Sequence, residues 1–272
     1  MILCRVLQVS KSGYHAWKAR PVLSARSKAE GALVEAIQLV HHDSRRTYGS
    51  PRIHAALVQK GIVCGHNRIA HLMRTNKIVS QRHRRFKKPD NSANTRGFAM
   101  NLVNQNFCVS KPNKIWASDI TLIWTGSGWL HLAIVMDLYS RRIIGWSVKA
   151  DMKRSLVIEA LKMALINRKP KQSLIHHSDQ GTQYAGDEFR GVLRASNILP
   201  SMSSKGNCYD NAVVESFFKT LKAELCKEVR FNTIDEGRSK IFEYIEVFYN
   251  QKRLHSTLGY LSPVEYERIN LA

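Results

Sequence analysis

Acidic residues are what this 272-residue chain has few of: 21 Asp and Glu stand against 42 Lys and Arg, a formal charge of +21 at pH 7 with histidine neutral. The deficit is uneven. Residues 1–110 hold 4 acids against 19 bases, a net of +15, whereas residues 111–272 hold 17 against 23, a net of +6. The N-terminal part therefore suits a polyanion, either nucleic acid or an acidic membrane surface. Long apolar runs are also missing. None approaches the roughly 20 residues that span a bilayer, and the start, Met-Ile-Leu-Cys-Arg-Val-Leu-Gln, lacks the charged-then-apolar layout of a signal peptide. The cytoplasm is the expected location, with no membrane partner. Cysteine is scattered: Cys4, Cys64, Cys108, Cys208 and Cys226 are odd in number and form no Cys-x-x-Cys pair, which argues against a disulfide framework or a closed zinc site. The spacing of His41, His42, His54, Cys64 and His66 matches no ordinary zinc pattern. Internal repeats and low-complexity tracts are absent. What remains is an ordinary globular composition, 44% hydrophobic and 23% charged, long enough for one large or two modest domains.

Hydrophobic spacing divides the chain. Residues 1–80 read as a helical domain. Leu33, Ile37 and Val40 recur at helical spacing before a break at His41-His42-Asp43. Pro51 suits the first turn of a helix whose apolar face is Ile53, Ala56 and Leu57, and Gly61 ends it. A second helix, His66 to Thr75, buries Ile69, Leu72 and Met73. Two short helices around a Gly-containing turn, with Arg52, Asn67, Arg68, His71 and Arg74 outward, predict a helix-turn-helix at about 51–75. Any small helical hairpin shares that pattern; the charge is what favours DNA. Residues 81–113 read as a basic linker in which Arg84 and Arg85 are placed to grip phosphates.

From 114 the pattern alternates. Strands are expected at 115–124, 129–137 and 143–148, and their short connections require them to be antiparallel. Helix 154–168, strand 173–177, helix 183–195, strand 198–202, helix 211–226 and helix 234–250 follow. This predicts an α/β fold, a mixed sheet flanked by helices in the ribonuclease H-like arrangement, with 114–230 as catalytic core and 231–272 as a helical extension.

Three carboxylates fall at telling places in that scheme. Asp119 lies within the first strand, Asp179 just past the end of the strand at 173–177, and Glu215 in the opening turns of a helix, 35 residues beyond Asp179. Ligands at strand ends are what open α/β sheets provide. Two Asp and one Glu suffice for Mg²⁺, which keeps waters and substrate phosphates in its shell. Two such ions about 3.5–4 Å apart would serve phosphodiester cleavage and transfer. Val214, Phe217, Phe218, Leu221 and Leu225 form the core stripe of the Glu215 helix, with Glu215, Lys219 and Lys222 beside it. Glu215–Lys219 alone would be a surface pair worth a few tenths of a kcal/mol; beside two aspartates, a metal ligand followed by a lysine row that tracks DNA is the stronger reading. Asp137 ends a strand, Asp210 sits where a helix N-cap belongs, and His176 and His177 read as strand-end packing. Ser203-Ser204-Lys205-Gly206-Asn207 is a polar loop placed to move against substrate, with Lys205 as a DNA contact.

The segments Trp116-Ala117-Ser118-Asp119-Ile120-Thr121, His177-Ser178-Asp179-Gln180-Gly181 and Gly206-Asn207-Cys208-Tyr209-Asp210-Asn211-Ala212 running into Glu215-Ser216-Phe217-Phe218 resemble the integrase core of bacterial insertion-sequence transposases. The similarity is to the IS-three family, second reading frame (OrfB). Tyr249-Asn250-Gln251-Lys252-Arg253-Leu254-His255, Leu261-Ser262-Pro263-Val264-Glu265-Tyr266, Ser12-Gly13-Tyr14-His15-Ala16-Trp17 and Tyr48-Gly49-Ser50-Pro51-Arg52-Ile53 match as well. The resemblance implies a DDE triad of Asp119, Asp179 and Glu215 using Mg²⁺, with Mn²⁺ as a substitute, and Lys222 as the basic residue that contacts element-end DNA. It implies strand cleavage at element ends followed by 3′-OH transfer on duplex DNA, a homo-oligomer assembled on that DNA, and the upstream reading-frame product as fusion or partner. The alternatives left by the residues alone are a non-enzymatic DNA-binding regulator and a ribonuclease H-type nuclease.

Overall fold

The computed structural model describes residues 4, 6–19, 25–80, 99–103, 109–171, 173–203, 211–226 and 231–271. Most of the expected linker, with Arg84 and Arg85, lies outside them, as do Lys205 and most of its loop, Asp210, Cys108 and Cys208. The chain divides into two units, Met1–Ser80 and Gln81–Ala272.

In the first unit, α1 (Lys11–Lys18) is opened by the Ser10 side chain, which accepts from the Gly13 amide, and it buries no residue. Helix α2 (Ala25–Asp43) buries Leu33, Ile37 and Val40. It runs through His41-His42-Asp43, where a break was expected, because nothing there removes an amide or forces a positive φ; the reversal comes at Arg45 and Arg46, both left-handed. Helix α3 (Ser50–Gln59) carries Pro51 in its first turn and buries Ile53 and Leu57. Gly61 then turns the chain at φ +77°, a conformation that costs glycine little. Helix α4 (His66–Thr75) buries Ile69, Leu72 and Met73.

The second unit is built on a five-stranded sheet in the order β3-β2-β1-β4-β5. β1 (Ile115–Thr125), β2 (Gly128–Asp137) and β3 (Ile143–Lys149) form an antiparallel meander. β4 (Leu174–Ser178) joins β1 in parallel, and β5 (Ile198–Met202) joins β4 in parallel. Both faces of the meander are covered, as the apolar runs require. Leu130, Leu132, Ile134 and Met136 of β2 pack against α8 (Ala212–Glu224), α9 (Ile234–Phe242) and the π-helix Glu243–Tyr249. Ala133 and Val135, pointing the other way, meet α5 (Arg154–Arg168), α6 (Thr182–Ala185) and α7 (Asp187–Ala195). Each fully buried Leu, Ile or Phe in these layers contributes roughly 1.5–3 kcal/mol. Helix α5 lies so close to β3 that a Cβ on Gly145 would come within 2.1 Å of the Ala160 carbonyl oxygen; only glycine fits there.

Two expected helices differ in form. The one expected over 183–195 is broken at the extended Gly186 into α6 and α7. The one expected over 234–250 leaves α geometry after Phe242 for a π-helix. Its last residues are pinned by side chains: the Asn250 amide accepts from the Ile143 N–H at 3.0 Å and donates to the Ile143 carbonyl at 2.9 Å. Arg253 donates to both carboxylate oxygens of Glu224 at 2.6–3.2 Å, and the Tyr244 hydroxyl joins that carboxylate at 2.8 Å. Helix α10 (Pro263–Asn270) brings in Glu267 to accept from Ser140 at 2.6 Å, from Arg142 at 2.8 Å, and from Arg168. No described helix is long and apolar enough to cross a membrane.

Candidate active site

Sheet register gathers the first two carboxylates. In the parallel pair, Ala117 of β1 stands beside His177 of β4; Asp119 follows two residues on within β1, and Asp179 comes two residues on, just past the end of β4. The Asp119 carboxylate accepts from the Ile120 N–H at 2.7 Å. The Asp179 carboxylate accepts from the Gly181 N–H at 3.0 Å, a turn so tight that a Cβ on Gly181 would approach the same oxygen to 2.9 Å. Helix α8 delivers Glu215. Its N-cap is Asn211, not Asp210 as expected. Asn211 makes no capping bond within the helix; its side-chain amide instead donates to the Ser118 carbonyl at 3.1 Å. The start of α8 is thereby tied to the residue preceding Asp119, with Glu215 one turn further on. Glu215 is half-buried and paired with Lys219 at 3.2 Å, the helix-surface pair the sequence allows.

The electrostatics identify Asp119 as the hub. Burial, then the charge of Asp179, then that of Glu215 push its carboxyl up to about 7, against the Ile120 N–H bond and the charge of Lys222. Asp179 is raised as well, by loss of water and against its bond from Gly181. Lys222 is lowered mainly by desolvation, opposed by Cys226 and Asp119, so it stands near enough to Asp119 for each to feel the other. Among the described residues no three His, Cys, Asp or Glu side chains close round one point as a ready-made metal cage.

The neighbouring histidines are structural. His176 is buried, bonded to the Ser118 hydroxyl at 2.8 Å, and kept neutral by burial and by His177, with its pKa lowered to about 3. His177 is buried against the hydroxyls of Ser201 at 2.9 Å and Ser203 at 3.2 Å. Gln180 ties the Asp179 turn to the Ser203 carbonyl at 3.0 Å. Asp137 is wholly buried. Burial pushes its carboxyl up to about 6, while amides of Asn113 and Tyr139 and the charge of Arg168 pull the other way. Sequence reasoning missed Asn211, Gln180 and Tyr184. The first two act through backbone contacts that local sequence does not show; Tyr184, five residues past Asp179, was open to notice.

In the helical unit, Asn67, Arg68, His71 and Arg74 of α4 are exposed. Arg52 is not: it is half-buried, with its guanidinium over the Tyr48 ring at 5.8 Å. Cys4, Cys64 and Cys226 are free thiols, and the His54 ring is bonded to the Cys64 carbonyl, not its sulfur, at 3.0 Å.

Comparison with known proteins agrees with this layout. A family model described as an integrase core domain matches residues 109–208, a second integrase core domain model matches 215–271, and an HTH-like domain model matches 28–86. The 31 kDa protein of insertion element IS600 from Shigella sonnei is 40% identical over 264 residues, 97% of this chain and 97% of that protein. Transposase InsF for insertion sequence IS3A from Escherichia coli K12 is 38% identical over 271 residues, 99% of this chain and 94% of that one. A chain in the cryo-EM structure of the simian T-cell lymphotropic virus intasome superposes with a TM-score of 0.50 at 16% identity, covering 85% of this chain and 73% of that chain. At that identity the likeness is one of fold, and the fold is ribonuclease H-like.

Proposed function

Because the chain belongs to the insertion-sequence transposases with an integrase core, the IS3 family, we propose that Asp119, Asp179 and Glu215 are the catalytic carboxylates of its DNA strand cleavage and transfer. What supports this is the convergence of the three acids: the charges of Asp179 and Glu215 both bear on the Asp119 carboxyl, which burial raises first. Acids held together against their own repulsion are suited to a cation that relieves it. Mg²⁺ takes one or two carboxylates per ion and completes its shell with water and substrate phosphate. Asp119, influenced by both others, would be the central ligand of one or two such ions, and Mn²⁺ is expected to substitute.

Divalent cations in such a site supply neutralisation of the phosphate and activation of the attacking oxygen. The chain's residues supply orientation. The Ile120 and Gly181 amides each hold one oxygen of Asp119 and Asp179, which fixes the directions of the remaining oxygens. Asn211 ties the start of the Glu215 helix to the residue preceding Asp119. In the first step water attacks the phosphodiester at an element end, and the departing oxygen becomes a 3′-OH. In the second, that 3′-OH attacks another phosphodiester, one P–O bond forming as one breaks, so no covalent enzyme intermediate is needed. Lys222 and Lys219, with Lys205, are read as contacts to the element-end strand. Arg68, Arg74 and Asn67, with Arg84 and Arg85, are read as contacts to flanking duplex. Arg52, stacked on Tyr48, is a weaker member of that set. A homo-oligomer on DNA, a contribution from the upstream reading-frame product, and action in the cytoplasm complete the reading.

The test is Mg²⁺-dependent cleavage of duplex carrying the DNA that flanks the gene, beside an RNA–DNA hybrid of the same sequence. Wild type should cut the duplex and Glu215→Gln should bind it without cutting. Cleavage retained by Glu215→Gln, or confined to the hybrid, would sink the proposal.

A further inference from the structure

A buried hydroxyl without a partner calls for an explanation, since nearly all such groups in folded proteins are hydrogen-bonded. Tyr184 has only 2% of its surface exposed, and its hydroxyl has no partner among the described residues. The ring itself is well fixed, edge-on to Phe189 at 5.3 Å and against His176 at 6.2 Å. Its backbone N–H donates to the Gly181 carbonyl at 3.0 Å, and the Gly181 N–H in turn holds Asp179. His176 holds Ser118, the residue before Asp119. The phenol is thus clamped between the two backbone segments that carry Asp119 and Asp179. Burial, then the charges of Asp119 and Asp179, hold it well above the usual tyrosine range, so it is a donor at neutral pH.

Resting on the reading of the three carboxylates as the cation-binding set, we infer that Tyr184 is a positioning residue for the bound cation, its hydroxyl donating to the Asp119 carboxylate that would hold the ion. Among the described residues this donor has no acceptor, and an Asp119 carboxylate held by a bound cation would supply one. A polar group that is a cost in one state and a bond in the other favours the loaded state. Hydrogen bonds of this kind, made to a ligand's outer atoms, set its orientation and are worth about 10–100-fold in metal affinity.

Tyr184→Phe keeps the ring and removes only the hydroxyl. The test uses the full chain with Mn²⁺ alone as probe, reading bound ion by electron paramagnetic resonance and stability by the melting temperature with and without the ion. The metal-free variant should melt at or above wild type, because the unsatisfied group is gone, and should bind Mn²⁺ about 10-fold more weakly. A lowered metal-free melting temperature, or unchanged Mn²⁺ affinity, overturns the inference. Asp179→Asn in the same assay separates the two readings. If it binds Mn²⁺ as wild type does, or wild type binds none, the carboxylate reading fails and takes this inference with it. If it loses binding while Tyr184→Phe keeps it, only the role of Tyr184 fails.

Discussion

Asp119 and Asp137 stand on adjacent paired strands, opposite Ile134 and Trp116 respectively, three residues or about 10 Å apart along the sheet. Burial raises both, to about 7 and about 6. Their surroundings differ. Asp137 receives two backbone N–H bonds and sits by Arg168 at 4.0 Å, which also serves Glu267. Asp119 receives one N–H bond and faces two further carboxylates. One position carries an acid satisfied by the protein, and the other, three residues along, faces acids that repel it. Burial alone does not separate the structural Asp137 from Asp119, the acid proposed as catalytic; the charge of their neighbours does.

The largest expected effect tests that contrast directly. Asp119→Asn, Asp179→Asn and Glu215→Gln should each reduce strand cleavage and joining beyond the roughly 100-fold typical of residues that only support a ligand, while melting temperature holds or rises as repulsion is relieved. Asp137→Asn should lower the melting temperature, with activity falling only as the folded fraction does. If the two sets behave alike in both assays, the distinction collapses.

Breaking the other buried acid should cost stability outright. Arg253→Met leaves Glu224 buried without its cation, and urea denaturation should show a loss of about 3–5 kcal/mol. Replacing both partners by apolar residues should recover most of it. A single variant within 1 kcal/mol of wild type would show that the pair is not what anchors the C-terminal segment.

Proton linkage gives a third, smaller effect. Since the folded carboxyl of Asp119 lies near 7, above its unfolded value, this group favours the metal-free fold at low pH and loses that contribution as pH rises through about 7. A cation must displace the proton, so Mn²⁺ affinity should fall up to about tenfold per pH unit below 7 and level off above it. A flat profile between about pH 5 and 8 would contradict the raised carboxyl.

The smallest effect sharpens the contrast on the basic side. Lys222→Ala should reduce the salt slope of element-end DNA binding by about one unit and leave Mn²⁺ affinity close to wild type, whereas Lys162→Ala on the exposed face of α5 should change neither. Identical slopes for the two variants would mean that Lys222 makes no DNA contact.

Much of this was legible in the chain. The apolar runs of β1 to β3 and the short apolar segments of β4 and β5, set between polar stretches, were readable as strands. The stripe Val214, Phe217, Phe218 and Leu221 points α8 inward and sets Glu215 beside it. What was not legible depends on partners far away in sequence. Asp137 and Glu267 meet round Arg168 across 130 residues, Asn211 caps its helix while reaching across to Ser118, and Arg52 turns inward onto Tyr48. The π-helix has no hydrophobic signature of its own, because its period differs from 3.6 by less than a short window resolves.

That π-helix makes residue count, as well as residue type, a quantity on which the C-terminal fold depends. Its hydrogen bonds close over five residues, as from the Asn250 N–H to the Ile245 carbonyl, so the segment holds one residue more than an α-helix of the same rise. Deleting any one residue between 243 and 249 would regularise the ladder, yet turn everything downstream by about 100° about the axis. Asn250 would then leave Ile143 and Arg253 would leave Glu224. A single-residue insertion or deletion there would therefore break contacts that no side-chain exchange restores, even with the buried Tyr244, Ile245, Phe248 and Tyr249 all kept.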